Sequence, residues 1–427
     1  MFDFGRELKK LFGASPETED LGWLELIGPD LLAGAARTQC TDAGRVSCAK
    51  PFVGWLRGAV LWREHARRTG SADSLIRALN AAGDAKRAAR LPDETARAAI
   101  ETALNLMARF DLCGGTATLE QAVAAAPAIT PDLRQTTAAS LAALHARLRL
   151  RQARLAGSPD ILVRAAVLMD AAILAVETNR AGPSDDLRLE RAALALEAGV
   201  MRRDAGLLDQ AGRELRRLVS LADPDRRPLS RARTLTLCAA GLSALAALAG
   251  DDAAHAQARL LFEGAADQFT PDHSPLDWVA IQLARSATPG AASLAVLRQA
   301  EALGGGQGLV LGALARDRRL EVETRAAGTA RDRDLLETLR ESILHRLSVV
   351  RHAPAPGDAS DAGDLDWAVD QVALARLDAA SARLTGRTEH STSGFALFEA
   401  AEIARDRGVT DLADRAEALM PVRSINV

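Results

Sequence analysis

Pro275-Leu276-Asp277-Trp278 runs on to Gln282-Leu283-Ala284, and nearly the same words return at Asp364-Leu365-Asp366-Trp367 with Gln371-Val372-Ala373 as their sequel. Both stretches read Leu-Asp-Trp-x-x-x-Gln-[Leu/Val]-Ala. An aromatic, an amide and small apolar residues recurring in one register mark an internal repeat. The register extends outward. From Trp367 the turn Gly386 leads to Leu397-Phe398-Glu399-Ala400-Ala401, and from Arg231 the turn Gly250 leads to Leu261-Phe262-Glu263-Gly264-Ala265 at the same two offsets. Weaker copies place turns at Gly70, Gly115, Gly157, Gly206, Gly290 and Gly328, and two of them set Met169 and Leu218 where the phenylalanines stand. Pro51, Pro92, Pro131, Pro183, Pro228 and Pro275 each stand where a first helical turn begins, the position that tolerates a missing N–H. The copies recur every ~40–50 residues, the range of two-helix repeats. The copy after Trp278 has a shortened first helix, and the copy around Gly328 opens without proline.

Composition supports helices packed on helices. Of 427 residues, 48% are hydrophobic but only 3% aromatic, an Ala- and Leu-rich interior suited to close helix contact and unlike that of sandwiches or barrels. Apolar positions three or four apart in Leu75-Ile76-Leu79, in Leu235-Cys238-Leu242-Leu245 and in Ala254-Ala258-Leu261-Ala265 give stripes that neighbouring helices bury. Such a unit is not stable alone, and a stack is. A net charge of -3 argues against a general nucleic-acid or anionic-membrane binder. Cys40, Cys48, Cys113 and Cys238 form no C-x-x-C pair or zinc spacing, which suggests a reduced, cytoplasmic chain. No apolar run approaches a membrane span, and Met1 to Leu8 lacks the apolar core of a leader.

Gly115-Thr116-Ala117-Thr118-Leu119-Glu120-Gln121-Ala122-Val123-Ala124-Ala125, together with Pro275-Leu276-Asp277-Trp278, resembles the degenerate bacterial tetratricopeptide-like repeats, whose units read roughly G-T-A-x-L-E-x-A-V-A-A and P-L-D-W-A. The family's usual tyrosine is missing, since the chain has none. The resemblance implies an all-α, right-handed superhelical solenoid of about eight helix-turn-helix pairs. It further implies a scaffold or adaptor that binds a protein or peptide on its concave face. The alternative is a regulatory subunit that binds nucleic acid or a small ligand inside the superhelix. The expected divisions are an N-terminal helix and capping segment over residues 1–50, the solenoid over 51–350, a Pro-, Gly-, Asp- and Ser-rich loop over 351–363, and a C-terminal repeat with capping helix over 364–427.

In tetratricopeptide-like stacks the first helix of each pair lines the concave face. Arg97, Arg188 and Arg233 each lie five residues after a helix-opening proline, and Arg134 and Arg231 three after one, so the five are candidates for a column that holds partner carboxylates. The competing expectation is surface ion pairing with Glu94, Asp132, Asp185, Asp186 or Glu190. Phe4, Leu8, Leu11 and Phe12 share one helical face opposite Arg6, Lys9 and Lys10, as in a docking or membrane-contacting helix or in a cap folded over the first repeat. Gly304-Gly305-Gly306-Gln307-Gly308 follows a helix and lacks a P-loop lysine, so it is read as an interhelix turn. Asp251, Asp252 and His255, and His345 and His352 with the aspartates of the 358–366 loop, have metal-ligand residue types. Helix capping and solvation explain them equally simply. No motif of a catalytic elbow, His-Glu-x-x-His site or Cys-His pair occurs, and no enzyme activity, cofactor or metal is expected.

Overall fold

The computed structural model describes residues 21–268, 270–288, 293–305, 308–351, 363–386 and 392–420. These residues form a 3-10 turn, Leu21–Leu26, then α1 (Pro29–Ala43) and eight helix pairs, closed by α18 (Thr410–Ala418). The pairs are α2 (Pro51–Thr69) with α3 (Ala72–Ala88), α4 (Pro92–Cys113) with α5 (Thr116–Ala125), α6 (Gln135–Leu155) with α7 (Pro159–Asn179), and α8 (Asp185–Arg202) with α9 (Ala205–Leu221). They continue with α10 (Pro228–Ala249) and α11 (Asp252–Ala266), α12 (Pro275–Ser286) and α13 (Leu294–Gly304), α14 (Val310–Ala330) and α15 (Arg333–Arg351), and α16 (Asp364–Thr385) and α17 (Gly394–Asp406). No strand occurs among the described residues, and each helix packs on the next. The all-α helical-repeat architecture expected from the repeat register is therefore present.

Local chemistry sets the ends. Proline occupies the first turn of α1, α2, α4, α7, α10 and α12, where its missing N–H costs nothing. Pro131 and Pro183 instead stand in the preceding turn, a few residues before α6 and α8 begin. Gly70, Gly250 and Gly386 end α2, α10 and α16 in the left-handed conformation. At two other turns the expected glycines are displaced into helices: Gly206 lies in the first turn of α9 and Gly328 near the end of α14. Arg203 and Arg331 take the left-handed positions there, with φ of 52° and 55°. The repeat is thus kept in three dimensions while its turn chemistry drifts. A further departure concerns the phenylalanines placed in one register. Phe262 is 1% exposed, whereas Phe398 is 54% exposed, because α17 begins later after its turn and carries that residue to the other side. Trp278 is buried and Trp367 half-buried, each against the preceding inner helices.

The first members of the pairs form an inner layer and the second members an outer one. α2 touches α4, α4 touches α6, and the contacts run on from α8 through α10, α12 and α14 to α16. The layer curves tightly enough to meet itself. The 3-10 turn lies against α10, α2 against α12 and α4 against α14, so a second turn of the superhelix rests on the first. Glycine marks two of these contacts. A Cβ on Gly70, at φ 72°, would stand 2.3 Å from Leu309 Cδ1, and one on Gly114, at φ 72°, would stand 2.4 Å from the Arg407 carbonyl oxygen. At the first of these the core is continuous between turns, since Leu276 and Leu309 pack with Ala66, Leu75 and Leu112.

Several sequence expectations are resolved. α16 packs directly on α14 and α15, α17 and α18 follow on α16, and Asp366 and Asp370 pair with Arg316 and Arg346. The segment with Phe4, Leu8, Leu11 and Phe12 lies outside the described residues, as does most of the 351–363 loop. Gly304 and Gly312 touch through their backbones; a Cβ on Gly312 would fall 2.0 Å from the Gly304 oxygen, so these glycines serve the close crossing of α13 and α14. Contrary to the sequence reading, one helix among the described residues, Pro228–Ala249, is long and apolar enough to cross a membrane, with a mean hydropathy of 1.5. It is α10, which packs between α9 and α11 and carries Arg231 and Arg233.

Two outcomes test this account. Arg331→Gly removes a left-handed arginine and should raise stability by about 1 kcal/mol in chemical denaturation. Gly114→Ala should cost about 1–3 kcal/mol from the backbone position alone. It should also speed amide exchange in α17 and α18, which pack across the seam; unchanged exchange there would contradict the turn-on-turn contact.

Candidate functional site

The inner helices are joined by arginine–carboxylate bridges, and the bridges run in a closed circuit. Arg63 of α2 donates from Nε and Nη2 to Glu101 of α4 at 2.9 and 3.2 Å. Arg151 of α6 holds Asp111 of α4 through Nη2 at 2.8 Å and Glu190 of α8 through Nη1 at 2.8 Å. Arg227, at the head of α10, reaches Asp185 of α8 at 3.3 Å. Arg233 of α10 donates from Nε and Nη2 to Asp277 of α12 at 3.0 and 2.8 Å. Asp277 then accepts Arg67 of α2 at 3.3 Å, which returns the circuit to its start. The same device continues onward: Arg316 of α14 meets Asp366 of α16 at 2.9 Å. Asp277 and Asp366 are the aspartates of the two Leu-Asp-Trp copies, each held by an arginine of the preceding even-numbered inner helix.

The electrostatics follow from this crowding. Burial works to raise the Asp277 carboxyl, but Arg233 and Arg67 outweigh it and hold the group well below the usual carboxylate range. Glu64 is lowered in the same way, burial being overcome by Arg67 and Arg68. Burial also opposes the charge on Glu190, and Arg147 and Arg151 prevail there. At Asp366 the balance reverses. Burial, with Asp370 adding to it, outweighs the single Arg316 and raises the group.

A recess opens in this wall. The backbones of α6 and α8 stay further apart than those of the other successive inner helices, and side chains bridge the gap: Arg147 and Arg151 to Glu190, and Arg154 to Glu197. Beside the gap lies a cavity of about 270 Å³ lined by Leu189 and Ala193 of α8, Thr236 and Leu237 of α10, and Ala280 and Ile281 of α12. Its rim carries Arg154, Glu190, Arg233 and Asp277. An apolar floor with a polar rim, built from four successive inner helices, can take one large apolar group and orient its polar neighbours. Among the described residues no group of three or more His, Cys, Asp or Glu side chains is arranged to hold a metal. Asp251 accepts from the N–H groups of Ala253 and Ala254 and so caps α11. Burial pushes the Cys238 thiol up to about 11 and raises those of Cys40 and Cys113, which makes them poor nucleophiles near neutral pH.

The five arginines aligned by register do not form one column. Arg233 alone stands on the recess. Arg97 is exposed, with its guanidinium 5.7 Å from the Phe52 ring. Arg134 precedes α6 and donates its backbone N–H to Asp93. Arg188 points to the outer layer, to Glu177 of α7 and Glu214 of α9. Arg231 closes the end of α9 by donating to the carbonyls of Val219 and Ala222. Counting from a proline misplaces Arg134 and Arg188, whose prolines stand before α6 and α8 and not in their first turns, and a shared offset does not fix which neighbour a side chain faces. Arg154, Glu190 and Asp277 were missed as site residues. For Asp277 the signal was present, since it is the one charged residue that both repeat copies share between leucine and tryptophan.

No known family model matches the chain, and no curated protein matches it. Among solved structures it is similar to a circular tandem repeat protein described as having a novel repeat topology and enhanced subunit contact surfaces, at 15% identity and a TM-score of 0.21, over 92% of this chain and 93% of that one. At that score the likeness carries nothing about this chain's site.

The geometry makes Asp277 the junction of three helices, and its removal strands Arg233 and leaves Arg67 with Glu64 alone. Asp277→Asn should cost about 3 kcal/mol at neutral pH. A carboxylate held below its unfolded value contributes stability above that unfolded value and loses it as pH falls toward the folded one. The loss in denaturation midpoint should therefore be equal at pH 7 and pH 5 and shrink only below about pH 4.

Proposed function

We propose that the protein is a non-catalytic binding scaffold or adaptor that takes up a segment of a protein or peptide partner on its inner wall. The observation that carries this reading is the recess between α8, α10 and α12, an apolar floor framed by Arg154, Arg233, Glu190 and Asp277. Helical repeats present such surfaces from several units at once, and a partner side chain seated in a dry recess with charged groups at its rim gains both affinity and register. A cytoplasmic, tetratricopeptide-like adaptor is consistent with the reduced cysteines and with the repeat words at Gly115 and Pro275. The nucleic-acid alternative draws less support, because the inner-wall arginines Arg151, Arg154 and Arg233 are each matched by carboxylates. A small apolar ligand is the second reading that the recess itself favours, given its volume.

Ala280→Trp fills the recess from α12 without touching the bridges. Quantitative pull-down with mass spectrometry, from a lysate of the source organism, should show a protein captured by the natural chain and reduced about tenfold or more by Ala280→Trp, with the helical signal unchanged. Retention of the same proteins at the same level by the filled variant would remove the recess from the binding surface. Recovery of a small molecule with the natural chain alone would favour the second reading.

A further inference from the structure

The outer wall carries a second surface that the recess does not explain. On α7, Leu162, Ala165, Met169, Ala172, Ile173 and Val176 face the core and are buried. Val163, Val167, Leu168 and Leu174 are 36, 64, 50 and 65% exposed. At about 100° per residue, Val163, Val167, Ala171 and Leu174 fall within an arc of about 80° opposite the core. A solvent-facing helix normally shows water a polar face, and a clustered apolar one marks an interaction site.

Beside this stripe runs a groove of about 430 Å³ between α7 and α9. Its floor is Arg188 and Arg191 of α8, both engaged: Arg188 with Glu177 and Glu214, Arg191 with Asp170. The opposite wall is cationic. Arg213 and Arg217 of α9 line the groove, and Arg216 stands exposed on the same helix. Arg213 pairs with Asp209 one turn earlier, whereas the guanidinium of Arg217 makes no hydrogen bond or ion pair among the described residues. The apolar stripe of α7 thus runs along one edge of the groove, and the α9 wall offers the unengaged guanidinium of Arg217 beside Arg213.

We propose that this face receives an acidic amphipathic helix of a partner protein, its apolar stripe on Val163, Val167 and Leu174 and its carboxylates on Arg213 and Arg217. Helix-in-groove recognition reads anchors at i, i+3, i+4 and i+7, the spacing of the α7 stripe. A planar guanidinium receives a carboxylate through two parallel hydrogen bonds. The complementarity excludes other occupants. A basic helix meets Arg213 and Arg217 on α9. A second copy of α7, packed antiparallel about a two-fold axis, sets Asp170 and Glu177 against their own images. The surface lies on the outer layer, so its occupation is independent of the inner recess.

The test is selection of displayed helical segments of about 20 residues, long enough to cover α7, against the full chain. Enriched segments should carry Asp or Glu flanking an apolar stripe. The best of them, labelled and followed by fluorescence anisotropy, should lose about tenfold or more in affinity with Leu174→Asp and with the pair Arg213→Glu and Arg217→Glu. Ala280→Trp should leave that affinity unchanged, which separates this surface from the recess. All these positions are solvent-accessible, and an unchanged circular dichroism spectrum confirms that the variants fold. Enrichment of basic segments, binding indifferent to both groove variants, absence of any enrichment, or self-association of the natural chain abolished by Leu174→Asp would each overturn the proposal.

Discussion

Asp277 accepts Arg233 from the preceding inner helix, 44 residues away in sequence, and Arg67 from the first turn of the superhelix, 210 residues away. Ser274 adds its hydroxyl at 2.6 Å, so one carboxylate answers three donors from three parts of the chain. Two carboxylates share three arginines: Glu64 holds Arg67 and Arg68, and Asp277 holds Arg67 and Arg233. Removing charge from water is expensive, and an arrangement of this kind persists only because each ion finds both an opposite charge and hydrogen bonds. The path of the chain depends on it. With Asp277 in place, α12 is fixed at once against α10 and against α2, and the positions of α13 to α18 follow from α12.

Small side chains and long ones divide the work between them. Alanine and glycine at the contacts let helix axes approach closely, as where Ala59, Ala81 and Ala82 meet between α2 and α3. Arginine then spans the distances that alanine leaves, carrying charge from one inner helix to a carboxylate on the next. The Arg68 side chain shows the limit of this use. It is 0% exposed and donates to the carbonyls of Leu24 and Ile27, so a full positive charge fastens the 3-10 turn to α2.

Much of the fold was legible because its determinants are local. Proline at a first turn, glycine at a helix end and an apolar residue every three or four positions act within one helix, and the Leu-Asp-Trp copies announced that the unit recurs. The closure of the superhelix was not legible, since it depends on the rotation between successive pairs accumulated over ten elements, and no single pair encodes it. The site was read only in part for the same reason. Arg233 was found by its register, but the second arginine on its partner Asp277, Arg67, lies beyond any local pattern, and Leu237 and Ile281 have the same spacing as residues that are simply buried. The exposed side of α7 escaped notice because periodicity shows that a helix has an apolar stripe and does not show when it has two.

The contact of one superhelical turn with the next also bears on how such a chain can change its length. Open arrays gain or lose units at little cost, since each unit meets only its neighbours. Here a duplication or deletion of one helix pair between α2 and α12 would rotate everything after it by a fifth of a turn, given five pairs per circuit. Asp277 would then face solvent, and Leu309 would lose its place over Gly70. The number of units in the first circuit is therefore locked by phase, in the way that a gear tolerates only whole teeth.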